Sequence, residues 1–425
     1  MTLCRQSARW HVNSCLAKTV CFLATWVATS SALAAGPLVL EGPSGNTPVT
    51  YVNPYIVLDI ETGPLGSLRN DIAADLVTDA VTLWNNTTTS TIYFDTSGSG
   101  VTEDINSSNW TDYLPGPDPD APIDYNDEDG INPVVFDSDG SIIDAFFYDN
   151  ASDDIVGFAS STFLRYTSQF TEGFAVINGT IPLLRDDLVL IIAHELGHFI
   201  GLDHTQANIN NNDYGCMTAT ASEYPLMYPF ACRDELTLHP DDEISVSMLY
   251  PVTDFNQTQG QLIGKFLLPD DTPIRGANIW VEDENGNVYS IVSDYLKQNT
   301  GLFNLLLPPG NYTLHANSIN LIFNQGSSIG PYADDQYGLS FQYPAASIGD
   351  VTLINENGTP VVLNLTAGNA IDIAFYSDGT GTFMSDKVIT DPTLVAPTTS
   401  AGGGGTLNPF LALLIPALVL SRRRL

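Results

Sequence analysis

Three of the chain's six histidines fall in one short run, His194-Glu195-Leu196-Gly197-His198-Phe199-Ile200-Gly201-Leu202-Asp203-His204. On a helix, positions i and i+4 share a face, so His194 and His198 can aim at one metal ion. Glu195, displaced by one residue, can reach a water beside that metal. Gly201 permits a backbone that a side chain would forbid, ending the helix sharply so that the chain swings back and offers His204 as a third nitrogen ligand. Three protein ligands leave a position open for water, which is the arrangement of a catalytic zinc site rather than a structural one. Incidental histidines on a buried helix would not keep this spacing: five such fixed positions arise by chance on the order of once in ten thousand chains.

The elements that must position these residues are readable around them. Asp186 and Asp187 precede a strongly apolar stretch at 188–200, which predicts a helix. Upstream, 49–60 alternates like a strand, and Ser67 opens a helical pattern through Leu68, Ile72, Leu76, Val77, Ala80, Val81 and Trp84. Strands are expected at 91–95, 134–136, 142–147 and 174–178, with a long surface loop over 96–133. Asp241-Asp242 opens a further helix that stops before Pro251. Strands interleaved with helices predict one α/β-type catalytic unit over 45–251. From 258 to 376, short strand-like runs with turn signals between them predict an all-β sandwich.

The histidine run resembles the zinc signature of the metzincin peptidases. Leu226-Met227-Tyr228-Pro229 resembles the methionine turn of their matrixin branch, and Leu238-His239-Pro240-Asp241-Asp242-Glu243-Ile244 resembles the helix that closes matrixin catalytic domains. The matching motifs cover roughly 174–250. The resemblance implies a metzincin α+β/α/β catalytic domain, a twisted mixed sheet with an active-site helix, ahead of the β-sandwich domain. It implies zinc held by His194, His198 and His204, Glu195 as catalytic base, Met227 under the site, and an edge strand aligning substrate, for which 173–177 is the candidate. The activity it implies is that of a zinc metalloendopeptidase acting on protein or peptide. Met217 is a rival to Met227 that lacks the following Tyr-Pro. Two departures stand out: 22 residues separate His204 from Met227, more than matrixins use, and no cysteine lies between Ala35 and the catalytic unit to act as a latency switch. Gly276-Ala277-Asn278-Ile279, Thr300-Gly301-Leu302-Phe303 and Leu307-Pro308-Pro309-Gly310-Asn311-Tyr312 resemble the carboxypeptidase-regulatory-like sandwich modules.

Both ends read as addressing. Residues 1–35 join basic residues, an apolar stretch and Ala32-Leu33-Ala34, the pattern of a secretory leader; a retained anchor is the alternative. Residues 377–405 are Gly/Ser/Thr-rich like a stalk, and 406–425 form a hydrophobic tail ending in Arg422-Arg423-Arg424. Glycines, apolar run and basic end resemble the GlyGly-CTERM sorting tails of Gram-negative bacteria. That implies a secreted or cell-surface protein, a sorting protease acting on the tail, and membrane contact only through the terminal segments. Cys4, Cys15 and Cys21 fall in the leader, so Cys216 and Cys232 read as one disulfide, with two free thiols the alternative.

Charge narrows the partners. Fourteen basic residues against 49 acidic give −35. Removing the six basic residues of the two terminal segments leaves eight against 49, or −41. Such a surface repels nucleic acid and anionic membranes. Asp137-Ser138-Asp139-Gly140, with Asp144 beyond, could hold calcium, but it lacks a complete twelve-residue loop, and a solvated acidic turn fits equally. His239 and His315 stand alone and default to structural roles. The competing function is a non-catalytic zinc-containing surface adhesin or matrix-binding protein, which would have no use for Glu195.

Overall fold

A computed structural model describes residues 36–41, 47–115, 129–164, 168–209, 216, 221–296, 298–319, 348–355, 357–377, 383–384 and 388–391. The expected leader, the tail and Met217 lie outside them. Among the described residues, no helix is long and apolar enough to cross a membrane.

A short hairpin, β1 (Leu40–Glu41) with β2 (Thr47–Pro48), comes first. The strand-like run that follows is broken into β3 (Thr50–Tyr51), β4 (Tyr55–Val57) and β5 (Asp59–Ile60). Helix α1 (Asn70–Asn85) buries Ala73, Leu76, Val77, Ala80, Val81 and Trp84, a stripe at helical spacing. Then come β6 (Tyr93–Asp95), β7 (Pro133–Asp137), α2 (Ser141–Phe146), β8 (Gly157–Leu164), β9 (Gln169–Asn178) and α3 (Arg185–Phe199). Helices α4 (Pro240–Leu249) and α5 (Phe255–Thr258) close the first unit.

The sheet runs β8-β9-β7-β5, with β3 pairing the start of β9. Next to β5, β4 pairs β6. All these pairs are parallel except β8, which runs antiparallel to β9. Helix α3 packs against α1 and against β8 and β9, so every residue from Leu188 to Phe199 is buried. A helix enclosed on all sides needs apolar residues all round, which is what 188–200 supplies. The Trp84 indole donates to the Ala193 carbonyl at 2.8 Å, pinning α1 to α3.

Three expectations are corrected here. Residues 173–177 are not an edge: β9 is hydrogen-bonded to β7 on one side and β8 on the other, and among the described residues β8 is the edge strand. The expected strand at 142–147 is α2, because carboxylates of the preceding turn satisfy amides at its start: Asp137 accepts from Ile143 N (2.8 Å) and Asp139 from Ser141 N (3.1 Å). The loop after β6 is not simply surface, since Val101, Ile105 and Leu114 are buried. Two buried carboxylates hold it: Asp59 accepts from Gly100 N and Asn132 N, and Glu61 from Ile105 N and Phe136 N.

The second unit comprises β10 (Gly260–Leu267), β11 (Ala277–Asp283), β12 (Val288–Val292), β13 (Leu302–Leu307), β14 (Gly310–Ser318), β15 (Val351–Ile354), β16 (Val362–Leu365), β17 (Ala370–Tyr376), β18 (Phe383–Met384) and β19 (Val388–Asp391). One sheet runs β13-β10-β17-β19, the other β12-β11-β14-β15-β18 with β16 on β14. Leu262, Phe266 and Leu305 of the first sheet share one core with Ile279, Val281 and Leu314 of the second. Strands β18 and β19 occupy the region expected to be stalk, so pairing continues past residue 376. Ile244 of α4 belongs to this second core, which joins the two units.

Candidate metal centre

Helix α3 carries His194 and His198 one turn apart near its C-terminus. The helix ends at Gly201, whose φ of +89° lies in the left-handed region, and Leu202 N returns to the Gly197 carbonyl at 2.9 Å. The reversal brings His204 back beside the other two. Ring centroids stand 4.7 Å apart for His194–His198, 4.6 Å for His198–His204 and 5.4 Å for His194–His204. Each residue offers a ligand atom within 4.8 Å of the others.

Carbonyls behind two of the rings set their protonation. His194 Nδ1 meets the Leu226 carbonyl at 2.6 Å and His198 Nδ1 meets the Leu202 carbonyl at 2.8 Å. A carbonyl only accepts, so each Nδ1 carries the hydrogen and each Nε2 presents a bare lone pair. His194 Nε2 is buried without a hydrogen-bond partner. His198 Nε2 and His204 Nε2 are 3.1 Å apart, near enough to serve one cation together. Burial pulls His194 down to about 4 and, with the neighbouring histidines, His198 well below its ordinary value. Three convergent imidazoles, two of them held neutral and one with an orphaned nitrogen, fit zinc.

Glu195 is fully buried, and neither carboxylate oxygen has a hydrogen-bond partner. Burial alone pushes its carboxyl well above the usual range. Its neighbour is the edge strand: a Cβ placed on Gly157 would stand 3.0 Å from Glu195 Cγ and 3.1 Å from Oε1. Met227 is buried beneath the helix, its sulfur 2.3 Å from where a Cβ on Gly197 would be. Asp242 of α4 holds the Met227 turn, accepting from Leu226 N at 2.7 Å and Met227 N at 3.0 Å. His239 caps that helix, accepting from Asp241 N, while its own N–H donates to Asp242.

Beside His194 lies a small recess of ≈ 10 Å³, room for about one water, lined by Leu190, Ile191, Leu226, Phe230, Ala231, Cys232 and Arg233. The Arg233 guanidinium is spent on the carbonyls of Ser222, Tyr224 and Thr237 and the Thr237 hydroxyl. Cys232 is disulfide-bonded to Cys216, Cα to Cα 5.0 Å.

The loop after His204 makes contacts that sequence reading missed, because the partners, in α4 and in the second unit, lie far along the chain. Thr205 Oγ1 donates to Asp241 Oδ2 (2.7 Å) and lies 2.9 Å from Ser290 Oγ. Ala207 N donates to that Ser290 hydroxyl (2.9 Å), and Asn278 Nδ2 donates to the Ala207 carbonyl (2.7 Å). The Tyr295 hydroxyl donates to Asp203 Oδ2 at 2.8 Å.

The expected calcium ligands are not brought together. Asp137 and Asp139 are engaged at the start of α2, and Asp144 accepts from Ser152 N at 2.8 Å. Among the described residues, the three histidines are the group of His, Cys, Asp or Glu side chains placed to hold a metal.

Compared with known proteins, the chain matches no family model and no curated protein. Among solved structures it is similar to 5-hydroxyisourate hydrolase of Klebsiella pneumoniae, at 12% identity and TM-score 0.16 over 31% of this chain and 96% of that one. It is also similar to the C-terminal fragment of pilus adhesin SpaC from Lactobacillus rhamnosus GG, at 15% identity and TM-score 0.15 over 33% and 48%.

Proposed function

We propose that the chain is an exported zinc-dependent endopeptidase of the metzincin kind, matrixin-like around its methionine turn. The observation that carries this reading is the orphaned Glu195 carboxylate beside three convergent imidazoles. A structural zinc site would leave no buried, unpartnered carboxylate next to its ligands.

His194, His198 and His204 would hold the zinc, which when bound polarises a carbonyl and acidifies water. Glu195 is the group that accepts a proton at a carboxylate oxygen from the attacking water and passes it to the departing amine nitrogen. Its pKa, pushed up by burial, comes down again beside a cation, so the carboxylate can cycle between both states.

Strand β8 aligns the substrate. Asn178 N donates to the Val156 carbonyl at 3.0 Å, so by alternation Phe158 and Ser160 face β9 while the amides of Gly157, Ala159 and Ser161 point outward. An extended peptide adds to those groups by β-pairing. The small recess beside His194 marks where the side chain following the cleaved bond would enter, its walls giving way to admit it. Its aliphatic lining, and an Arg233 whose donors are already used, favour an uncharged apolar side chain.

The test is digestion of an unstructured protein by the full mature chain, with a chelator control and Glu195→Ala. Loss of at least about a hundredfold in kcat is expected for the variant, with zinc content unchanged. Activity indifferent to both treatments would sink the reading.

A further inference from the structure

The sandwich does more than follow the catalytic unit. The segment from Asp203 to Ala207 is fastened from both units. Thr205 N donates to the Met227 carbonyl at 3.0 Å and His204 N donates to Asp203 Oδ1 at 2.8 Å. Asp203 N donates to the Gly36 carbonyl at 2.9 Å and Thr205 Oγ1 to Asp241 of α4, and further contacts come from across the boundary. Ser290, in β12, sits at the centre: its hydroxyl meets Thr205 Oγ1 and Ala207 N, and its backbone N–H donates to Asp241 Oδ1 at 2.6 Å. Asp241 in turn accepts from Thr205, so one carboxylate bridges the sandwich and the histidine loop. Asn278 of β11 holds the Ala207 carbonyl, at a residue whose φ of +47° is left-handed. On the other side of His204, the Tyr295 hydroxyl reaches both Asp203 Oδ2 and the Pro37 carbonyl.

Every one of these groups is out of water: Asp203, Thr205, Ser290, Asp241 and Tyr295 are each 4% exposed or less. Buried polar contacts of this kind fix a single geometry, since an unmade partner is left without solvent to replace it. Apolar packing reinforces them. Val292, Tyr295 and Leu296 share a cluster with Tyr228, Phe230 and Cys232, the wall that follows the methionine turn. The sandwich therefore touches the third-ligand loop and the pocket wall together.

We propose that Ser290 and Tyr295 of the sandwich are positioning residues for His204, so that the second unit is a structural part of the metal centre. The claim about the metal rests on the zinc reading above; the claim about the loop does not. Neither residue touches substrate or metal; each acts through the backbone on either side of His204. Outer partners that orient metal ligands typically change affinity by about 10–100-fold when removed.

The experiment uses the full chain with Ser290→Ala, Tyr295→Phe and the double variant. Tyr295→Phe removes one oxygen and keeps the ring in its cluster, so it preserves the fold. Thr352→Ala, which alters the sandwich at its contact with His315, serves as control. Amide hydrogen exchange in the metal-free protein is read first. The amides of His204, Thr205 and Ala207 should exchange at least about tenfold faster in the variants than in the parent or control. Zinc affinity is then measured by competition with a chromophoric chelator, and the cobalt-substituted form by its visible spectrum. Affinity about tenfold weaker or more, with an altered cobalt spectrum, is expected for Ser290→Ala and Tyr295→Phe but not for the control. Unchanged loop exchange in both single variants overturns the proposal. A parent chain that binds no zinc while its variants show the faster exchange overturns the zinc reading and leaves the positioning role standing.

Discussion

At the scale of single residues, the histidines were legible because they are local. Spacing and a helix end suffice to bring His194, His198 and His204 within reach, and the closed distances follow from the left-handed turn at Gly201. Their protonation was not legible, since it depends on the Leu226 and Leu202 carbonyls and on burial. That burial has a consequence in solution. With His194 held at about 4 rather than 6.5, the folded chain keeps this ligand neutral as the unfolded chain takes up its proton. The sign follows: the contribution of this histidine to metal-free stability is complete above about pH 6.5 and is lost as pH falls towards 4. Proton competition for zinc at this nitrogen sets in only near the lower value. Chelator competition from pH 8 to 4 should therefore show zinc retained through pH 6 and lost towards pH 4. A midpoint near 6.5 would contradict the buried-ligand picture.

Among elements, helix α3 and the closing helix α4 could be read ahead, since unbroken apolarity and an acidic helix start are local signals. The edge strand could not. The segment Gly157-Phe158-Ala159-Ser160-Ser161-Thr162 carries small and hydroxyl side chains with weak alternation, and its place outside β9 is decided by pairing with residues 169–178. The run at 142–147 misled for the opposite reason: its β-branched and aromatic residues suit a strand, but Asp137 and Asp139 satisfy the first amides of a helix. Strand β8 itself yields a prediction. Proline at 159 removes an amide that points outward, whereas proline at 158 removes one that bonds to β9. Ala159→Pro should raise KM several-fold with little change in melting temperature, and Phe158→Pro should destabilise the fold outright. Steady-state kinetics beside thermal melts separates the two; an unaltered KM for Ala159→Pro would remove β8 from substrate alignment.

For the whole molecule, the sequence suggested two units with an addressing segment at each end, and composition gave the charge. What pattern could not convey is that the units share a core through Ile244 and a polar seam through Asp241, because contacts across such distances leave no periodic trace. The net −35 acts on the entire body. Among the described residues, the ion pairs of Arg69 and Arg185 are exposed and contribute little, and Arg233 adds one more to a half-exposed Glu235, so salt has little attraction to weaken there. It has much repulsion to screen, as the Debye length shrinks from about 10 Å at 0.1 M to about 3 Å at 1 M. Melting temperature should therefore rise by several degrees over that range of sodium chloride, and a fall would mean that buried or paired charges dominate. The disulfide belongs to this scale too: freeing the closed loop should cost about 3 kcal/mol, seen as a lower denaturation midpoint for Cys216→Ser with Cys232→Ser.

The seam between the units also sets an order of events. Tyr295 lies 92 residues from Asp203, and Ser290 lies 85 from Thr205. A chain emerging N-terminus first at about 5–20 residues per second exposes its whole histidine run on the order of ten seconds before the residues that fasten the last histidine. Until those strands arrive, a nascent chain has ligands without a finished centre. On the proposed reading, the order of the chain itself delays a fully positioned third ligand until the sandwich has been made.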